Sequence, residues 1–412
     1  MRRDFLPFAL PNITDAEIDE VVATLRSGWI TTGPRVKQFE QDFAAYVGSA
    51  RAIALNSGTA ALHLALDAIG LRPGDEVIVP VMTFTATAEV VRYFEARPVF
   101  VDVEPDTLNI DIDQVEAAIT PRTRAVIPVH MAGQPCAMDP LSALARAHNL
   151  AVIEDAAHAL PARYHGRMVG TLGDLAAFSF YATKPITTAE GGMLTTDNPD
   201  YAARATLMSL HGISKDAWKR YSAEGSWHYE VEAPGFKYNM TDLAAALGVV
   251  QLRRCDELYA ARAAIAARYD RAFADTPELT TPVAPPDVRH AWHLYIIRLD
   301  LDALAIDRAA FIRELHDLNI GASVHFIPLH LHPYWQRLSG HQPDDFPAAL
   351  RAYERIVSLP IYPAMSQQDV DDVVDAVHAV VRKHRKLRVT AGAPLSTEGA
   401  GSEPANGAGR PS

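Results

Sequence analysis

Cysteine is nearly absent: Cys136 and Cys255 are the only two in 412 residues. They lie far apart, so no disulfide framework is implied and a reducing compartment fits. Long apolar runs are missing too. No stretch approaches the roughly 18 apolar residues a membrane helix needs. The start, MRRDFLPFALPNITDAE, has only a short apolar patch broken by Pro7 and Pro11, unlike a secretory signal. Excess positive charge is also lacking. A formal net charge of -12 argues against a nucleic-acid backbone or an anionic membrane as partner, while leaving room for a local basic pocket that takes a phosphate. The expectation is a cytoplasmic globular protein.

The length suffices for one large domain of roughly 250 residues and a smaller one. Thr14-Asp15-Ala16-Glu17 has the form of a capping box, and Ile18, Val21, Val22 and Leu25 follow at helical spacing until Gly28. GWITTGP (28–34) is then a polar loop with a tryptophan. Trp29 there either borders a pocket or plugs the edge of the core.

From Arg51 onward, short β-rich runs alternate with helices. AIAL precedes a helix over about 59–69, EVIVPV one over 86–94, PVFVDV one over 112–119 and AVIPVH one over 138–148, with AVIED closing the series. The strands are continuous apolar runs without a polar face, as a parallel sheet covered on both sides requires. A doubly wound α/β domain over about 35–250 follows, with 1–250 forming the first structural unit.

Ligands in such sheets sit at the carboxyl ends of strands. After AIAL comes Asn56-Ser57-Gly58-Thr59 and a helix start, which suits a phosphate but is equally an ordinary cap. After EVIVPV, Phe84 is either a platform for a flat heterocycle or a core residue. After AVI comes Glu154-Asp155-Ala156-Ala157-His158. A carboxylate at the mouth of a buried strand needs a cation or several donors, and a protonated pyridine nitrogen would be such a cation. Finally FSFYATKPITTAEGG (178–192) holds Lys184 among hydroxyls, with Pro185 biasing it toward an extended or turning backbone. A lysine kept among apolar groups loses proton affinity and becomes nucleophilic toward an aldehyde. Phosphate cradle, ring platform, buried acid and lysine, in that order, are the parts that pyridoxal 5'-phosphate (PLP) requires.

A helical pattern over about 243–274 leads away from the large domain, and TPVAPPDVRHAW reads as a linker. HLYIIRLDL, FIRELHDL, ASVHF and SLPIY then alternate strand, helix, strand, strand, and an amphipathic helix over 370–382 closes a small α+β domain within 251–388. His325 to His332 invites a zinc reading, but no carboxylate or cysteine stands at ligand spacing nearby, so no metal is expected. From Val389 to Ser412 the composition predicts a disordered tail.

These motifs resemble a known family. NSGTAALHLAL (56–66), GDEVIVPVMTFTATA (74–88), VIEDAAHA (152–159), GDLAAFSFYATKPITTAEGGML (173–194), FKYNMTDLAAALG (236–248) and VHFIPLHLHPYW (324–335) are similar to the sugar-nucleotide aminotransferases of the DegT/DnrJ/EryC1/StrS group. Those are fold-type I PLP-dependent transferases, with a doubly wound, mostly parallel large domain and a small C-terminal α+β domain.

The resemblance implies that Lys184 condenses with PLP and that Asp155 keeps the pyridine nitrogen protonated. Phe84 would stack on the ring and His158 would contact its phenolic oxygen or face. Gly58, Thr59 and Ser179 would hold the phosphate, with Asn239 reaching it from the second subunit of a homodimer. Trp29, Thr31, Thr32, Ser57, His325, Phe326 and Pro328 would border a nucleotide sugar, and the amino donor would be glutamate. The runs 210–221 and 225–240 look most like enzymes that aminate C4 of UDP-sugars, with C3 amination and a dTDP- or GDP-linked substrate as the alternatives. Two other readings share the scaffold. PLP-dependent sugar dehydratases resemble this family but have histidine where this chain has Lys184, and a non-catalytic PLP- or sugar-binding regulator lacks support from any preceding DNA-binding helix pair.

Overall fold

The computed structural model describes residues 2–213 and 228–386. The apolar runs form strands β1 Arg51–Leu55, β2 Glu76–Pro80, β3 Arg97–Val101, β4 Thr123–Val126 and β5 Ala151–Asp155. A hairpin of β6 Arg163–Tyr164 and β7 Arg167–Met168 follows, then β8 Leu175–Ser179 and β9 Gly192–Thr196. All but the hairpin belong to one sheet in the order β1-β9-β8-β5-β4-β2-β3. Pairing from β8 through β5, β4 and β2 to β3 is parallel. Only β9 runs against its neighbours β1 and β8. The link from β8 to β9 contains no helix. A strand returning without a crossover must pair antiparallel.

Helices cover both faces of this sheet, and strand side chains alternate between two cores. Val77 and Val79 of β2 enter one core and Ile78 the other; Ile153 and Val152 of β5 divide in the same way. This is why these strands read as unbroken apolar runs. The first helix, Asp15–Ser27, has the expected capping box, in which the Thr14 N–H donates to the Glu17 carboxylate at 2.8 Å.

The pattern over 243–274 is not one helix. It is Asp242–Arg253 followed by Cys255–Phe273, broken at Arg254 (φ -94°, ψ 2°). Arg254 is committed to Glu17 at 2.7 Å and Asn12 at 2.5 Å, and this tether coincides with the break.

Toward the C-terminus lie β10 Leu279–Thr280, β11 Val288–Arg289, β12 Tyr295–Leu299 and β13 Ile356–Leu359. β10, β12 and β13 form an antiparallel sheet. Part of the expected linker is β11, which pairs with β6 of the hairpin. The expected strand ASVHF makes only a bridge from Ser323 to Ser358. Beyond it the chain leaves the sheet and carries His325 and Phe326 to a cavity at the edge of the parallel sheet. Helix Gln367–His384 buries Val370, Val373, Val377, Val380 and Val381, a 3.6-residue stripe against this sheet. Leu6 joins the same core and bridges to Ile320, so the N-terminal segment packs with C-terminal elements. No helix among the described residues is long and apolar enough to cross a membrane.

Candidate active site

Because β1, β2, β5 and β8 point the same way, their carboxyl ends gather at one edge of the sheet. A cavity of about 350 Å³ opens there. Its wall includes Ser57, Gly58 and Thr59 after β1 and Phe84 after β2. Asp155 and His158 line it from β5, and Ser179 and Lys184 from β8 onward. His325 and Phe326 complete it from the C-terminal part.

At the β1 end, Ser57 caps helix Gly58–Ala68, its hydroxyl accepting the Ala60 N–H at 3.0 Å. Three backbones converge here too closely for side chains. A Cβ on Gly58 would lie 3.0 Å from Ser179 Cβ, and one on Gly192 would lie 2.3 Å from the Ser57 carbonyl oxygen. A helix amino terminus, two small residues and the Ser179 and Thr59 hydroxyls make a polar cradle suited to a phosphate.

The adjacent acids of β5 face opposite sides and have different tasks. Glu154 is fully buried and accepts from His130 Nε2 at 3.0 Å and from the amides of Leu172 and Gly173 at 2.8 and 2.9 Å. It is structural. Asp155 accepts from Thr87 Oγ1 at 2.8 Å and the Ala157 N–H at 3.2 Å. Burial pushes its carboxyl up from the ordinary range, against the pull of Thr87, Ala157 and Lys184. A cation in the cavity would relieve that cost, which is what a protonated pyridine nitrogen offers.

Lys184 follows a turn in which its N–H donates to the Tyr181 carbonyl at 2.9 Å. Burial lowers its ammonium to about 8, with Asp155 opposing the shift. Of the flanking hydroxyls, Thr183 lines the cavity. Thr187 and Thr188 instead brace the turn through the carbonyls of Phe180 at 3.0 Å and Glu190 at 2.8 Å.

Phe84 is 58% exposed, which removes the core explanation and leaves its face free for a ring. Phe326 lies 6.0 Å from Phe84 and stacks at 5.8 Å on His158. His158 is buried, with no partner for Nδ1. Burial, then Lys184 and His325, holds its imidazole well below the usual range.

The remaining named residues stand outside this cavity within the chain. Asn239 lines a second cavity, and its Nδ2 donates to Thr32 Oγ1 at 2.7 Å. Thr32 Oγ1 in turn donates to the Met240 carbonyl at 2.5 Å. The Thr31 carbonyl accepts the Asp242 N–H at 3.1 Å, and Trp29 Nε1 donates to the Thr32 carbonyl at 3.1 Å. Pro328 is buried just before a short turn at Leu329–Leu331. Glu190 borders both cavities. The stretches compared with C4-aminating enzymes fall partly at 214–227, outside the described residues, as does the expected tail.

Tyr181, Glu190 and Gly191 line the cavity from within the Lys184 stretch, whereas His293 carries no sequence signal distinctive enough to find it. His293 lies beside the expected linker, where a histidine is unremarkable. Thr87, which meets Asp155 from the helix after β2, is equally silent.

A phosphate cradle, an exposed aromatic face, a buried acid in need of a cation and a lysine of lowered proton affinity fit PLP. Fold and site together define a fold-type I PLP-dependent aminotransferase. The chain belongs to the DegT/DnrJ/EryC1/StrS aminotransferase family, whose profile matches residues 11–378. It is 54% identical over 382 residues to the spore coat polysaccharide biosynthesis protein SpsC of Bacillus subtilis, covering 92% of this chain and 98% of the relative. Among solved structures it is similar to Spr1654 of Streptococcus pneumoniae, assigned as a sugar aminotransferase, in its PLP form. That match has a TM-score of 0.86 and 38% identity, over 92% of this chain and 99% of the other. It is also similar to Helicobacter pylori PseC, an aminotransferase involved in pseudoaminic acid biosynthesis, with a TM-score of 0.85 and 28% identity, over 92% of this chain and 100% of the other.

Proposed function

We propose that this enzyme moves an amino group from an amino acid, glutamate, to the keto group of a nucleotide-linked sugar, at C4 of a UDP-4-ketosugar, for a surface polysaccharide made from cytoplasmic precursors. The observation that carries the reading is Lys184, an amine lowered to about 8 and set in one cavity with the buried Asp155. Relatives named for spore coat polysaccharide and pseudoaminic acid biosynthesis support a sugar as acceptor. The likeness of 210–221 and 225–240 to C4-aminating enzymes supports the position.

Bound PLP supplies the electron sink for the pair left when a proton departs from the carbon bearing nitrogen. The protein's residues do the rest. Gly58, Thr59 and Ser179 would hold the phosphate, and Asp155 would keep the ring nitrogen protonated. Phe84 and His158 would flank the ring. Lys184, once displaced by the donor, would carry the proton between donor carbon and cofactor carbon as general base and then acid. The keto acid leaves before the sugar binds, which gives ping-pong kinetics.

A homodimer is part of this reading. Asn239 and the Trp29, Thr31, Thr32 loop lie together beside the second cavity and do not line the cavity of their own chain's Lys184. A twofold axis would deliver them to the partner's site, next to Ser57, His325, Phe326 and Pro328.

The test supplies glutamate labelled in its nitrogen and a panel of 4-keto and 3-keto sugars linked to UDP, dTDP or GDP. Release of 2-oxoglutarate with label in the sugar only for UDP-4-ketosugars is expected. Turnover of a 3-keto or differently linked sugar instead would overturn the assignment.

A further inference from the structure

Three imidazoles share one wall of the Lys184 cavity: His158, His293 and His325. They arrive from separate segments, after β5, just before β12 and beyond the Ser323 bridge. The rings of His158 and His293 are 4.4 Å apart and inclined at 42°, so they pack on each other rather than hydrogen-bond. Both are at least nine-tenths buried, and the Nδ1 atom of each has no partner. His325 is tied down differently, through Nδ1 to Ser358 Oγ at 2.9 Å and by stacking on Phe8.

Behind His293 stands Arg262, 3% exposed and without a carboxylate partner among the described residues. Its Nη1 meets the carbonyls of Ile361 at 2.6 Å and His293 at 3.4 Å. Its Nε has no partner; a buried guanidinium bonded only to carbonyl oxygens keeps its charge and projects positive potential through a medium that screens it weakly. The charged groups facing the cluster are Lys184, Arg262 and Asp155, with Glu190 on the cavity wall. Asp155 is already engaged by Thr87 and Ala157. Burial and the neighbouring cations keep His158 and His293 neutral, so each ring has one N–H to give.

An amino-acid donor carries an α-carboxylate into this cavity, and no arginine lines the wall among the described residues. Lys184 must be free to move a proton and cannot remain the carboxylate's partner. We propose that His293, together with His158, forms the subsite for the donor's α-carboxylate, with Arg262 supplying the favourable potential behind it. The Nδ1 atoms are sealed from the cavity, so a carboxylate there would meet the Nε2–H groups of the two rings, and hydrogen bonds to a charged group in such surroundings are strong. The inference rests on the aminotransferase reading but not on the identity of the sugar.

The test therefore omits the sugar. Holoenzyme is mixed with glutamate, and conversion of bound PLP to pyridoxamine phosphate is followed by absorbance. His293→Phe should keep its PLP and its melting temperature. Its half-saturating glutamate concentration should rise about ten- to hundred-fold, the loss of one hydrogen bond to a charged group, while the limiting rate changes far less. His293→Asn, which keeps a donor, should recover most of that loss. Calorimetry with glutarate, an unreactive dicarboxylate, should show binding to wild type weakened by a similar factor in His293→Phe. If His293→Phe fails to yield holoenzyme, His293→Leu carries the same comparison. Half-saturation and glutarate affinity indifferent to residue 293, or a fall confined to the limiting rate, would overturn the subsite and leave the aminotransferase reading standing. Absence of any conversion by wild type with glutamate or other amino acids would sink both.

Discussion

Thr87 donates its hydroxyl to Asp155 Oδ2 at 2.8 Å and itself meets Thr83 Oγ1 at 2.8 Å, so the helix after β2 sets the charge of the acid at the end of β5. Thr87→Val keeps the shape and removes the donor. Asp155 is already raised by burial, and losing a donor raises it further. Its carboxylate form serves the cofactor, so activity falls as pH drops through this pKa. The variant should show that acid limb at higher pH, with kcat about tenfold lower at neutral pH. A kcat profile superimposable on wild type would show that Thr87 does not tune Asp155.

The charge of Asp155 also acts on Lys184. It opposes the burial that lowers the lysine to about 8. Only the neutral amine attacks an aldehyde, so the rate of PLP uptake by apoenzyme should fall about tenfold per pH unit below that value. In Asp155→Asn the opposing charge is gone and the limb should move to lower pH, even though turnover drops steeply. Stopped-flow reconstitution across pH reads both. A limb moving to higher pH would contradict the stated balance of burial and charge.

Borohydride reduction of the holoenzyme should leave a pyridoxyl mass on Lys184, and Lys184→Ala should abolish both the label and turnover. Peptide mapping that finds the label on another lysine would remove the central assignment.

The parallel sheet was legible because its strands are buried on both faces, and the approach of Phe84, Asp155 and Lys184 to one cavity because strand ends in such sheets gather at one edge. What escaped was tertiary. Arg254 sits at the helix break with its charge held by Glu17 and Asn12, partners more than two hundred residues away. ASVHF has strand composition, but its residues serve the cavity rather than the sheet. His293 lies in the cavity because of how the C-terminal sheet docks, and no local pattern records that. Glu154 and Asp155 look alike in sequence; alternation along β5 sends one to structural amides and the other to the site.

Gly192 opens β9 where it passes the phosphate cradle. An added Cβ would lie 2.3 Å from the Ser57 carbonyl oxygen and 2.6 Å from the Gly58 nitrogen, and neither backbone atom can swing aside as a flexible side chain would. Gly192→Ala should cost about 1–3 kcal/mol in stability and weaken PLP affinity beyond that, by displacing the helix start. Equilibrium dialysis of PLP against the variant checks this. Unchanged affinity would mean that the β1 end and β9 adjust without disturbing the cradle.

Asp242 holds the first loop in place from more than two hundred residues away in sequence. Its Oδ1 accepts the amides of Gly33 at 2.7 Å and Val36 at 3.0 Å, and Oδ2 accepts that of Arg35 at 3.1 Å. It thereby caps helix Pro34–Val47, whose first turn has no side chain of its own to do so. Asp242→Ala strands these amides in a largely buried place, a loss of about 3 kcal/mol, and releases the loop that carries Trp29, Thr31 and Thr32. Asp242→Asn keeps one acceptor oxygen and should lose less. If that loop completes the partner's site, Asp242→Ala should also dissociate the dimer at higher protein concentration than wild type does, as sedimentation would show. A lower melting temperature with unaltered dimer affinity would confine Asp242 to folding, because the loop would then contribute nothing across the twofold axis.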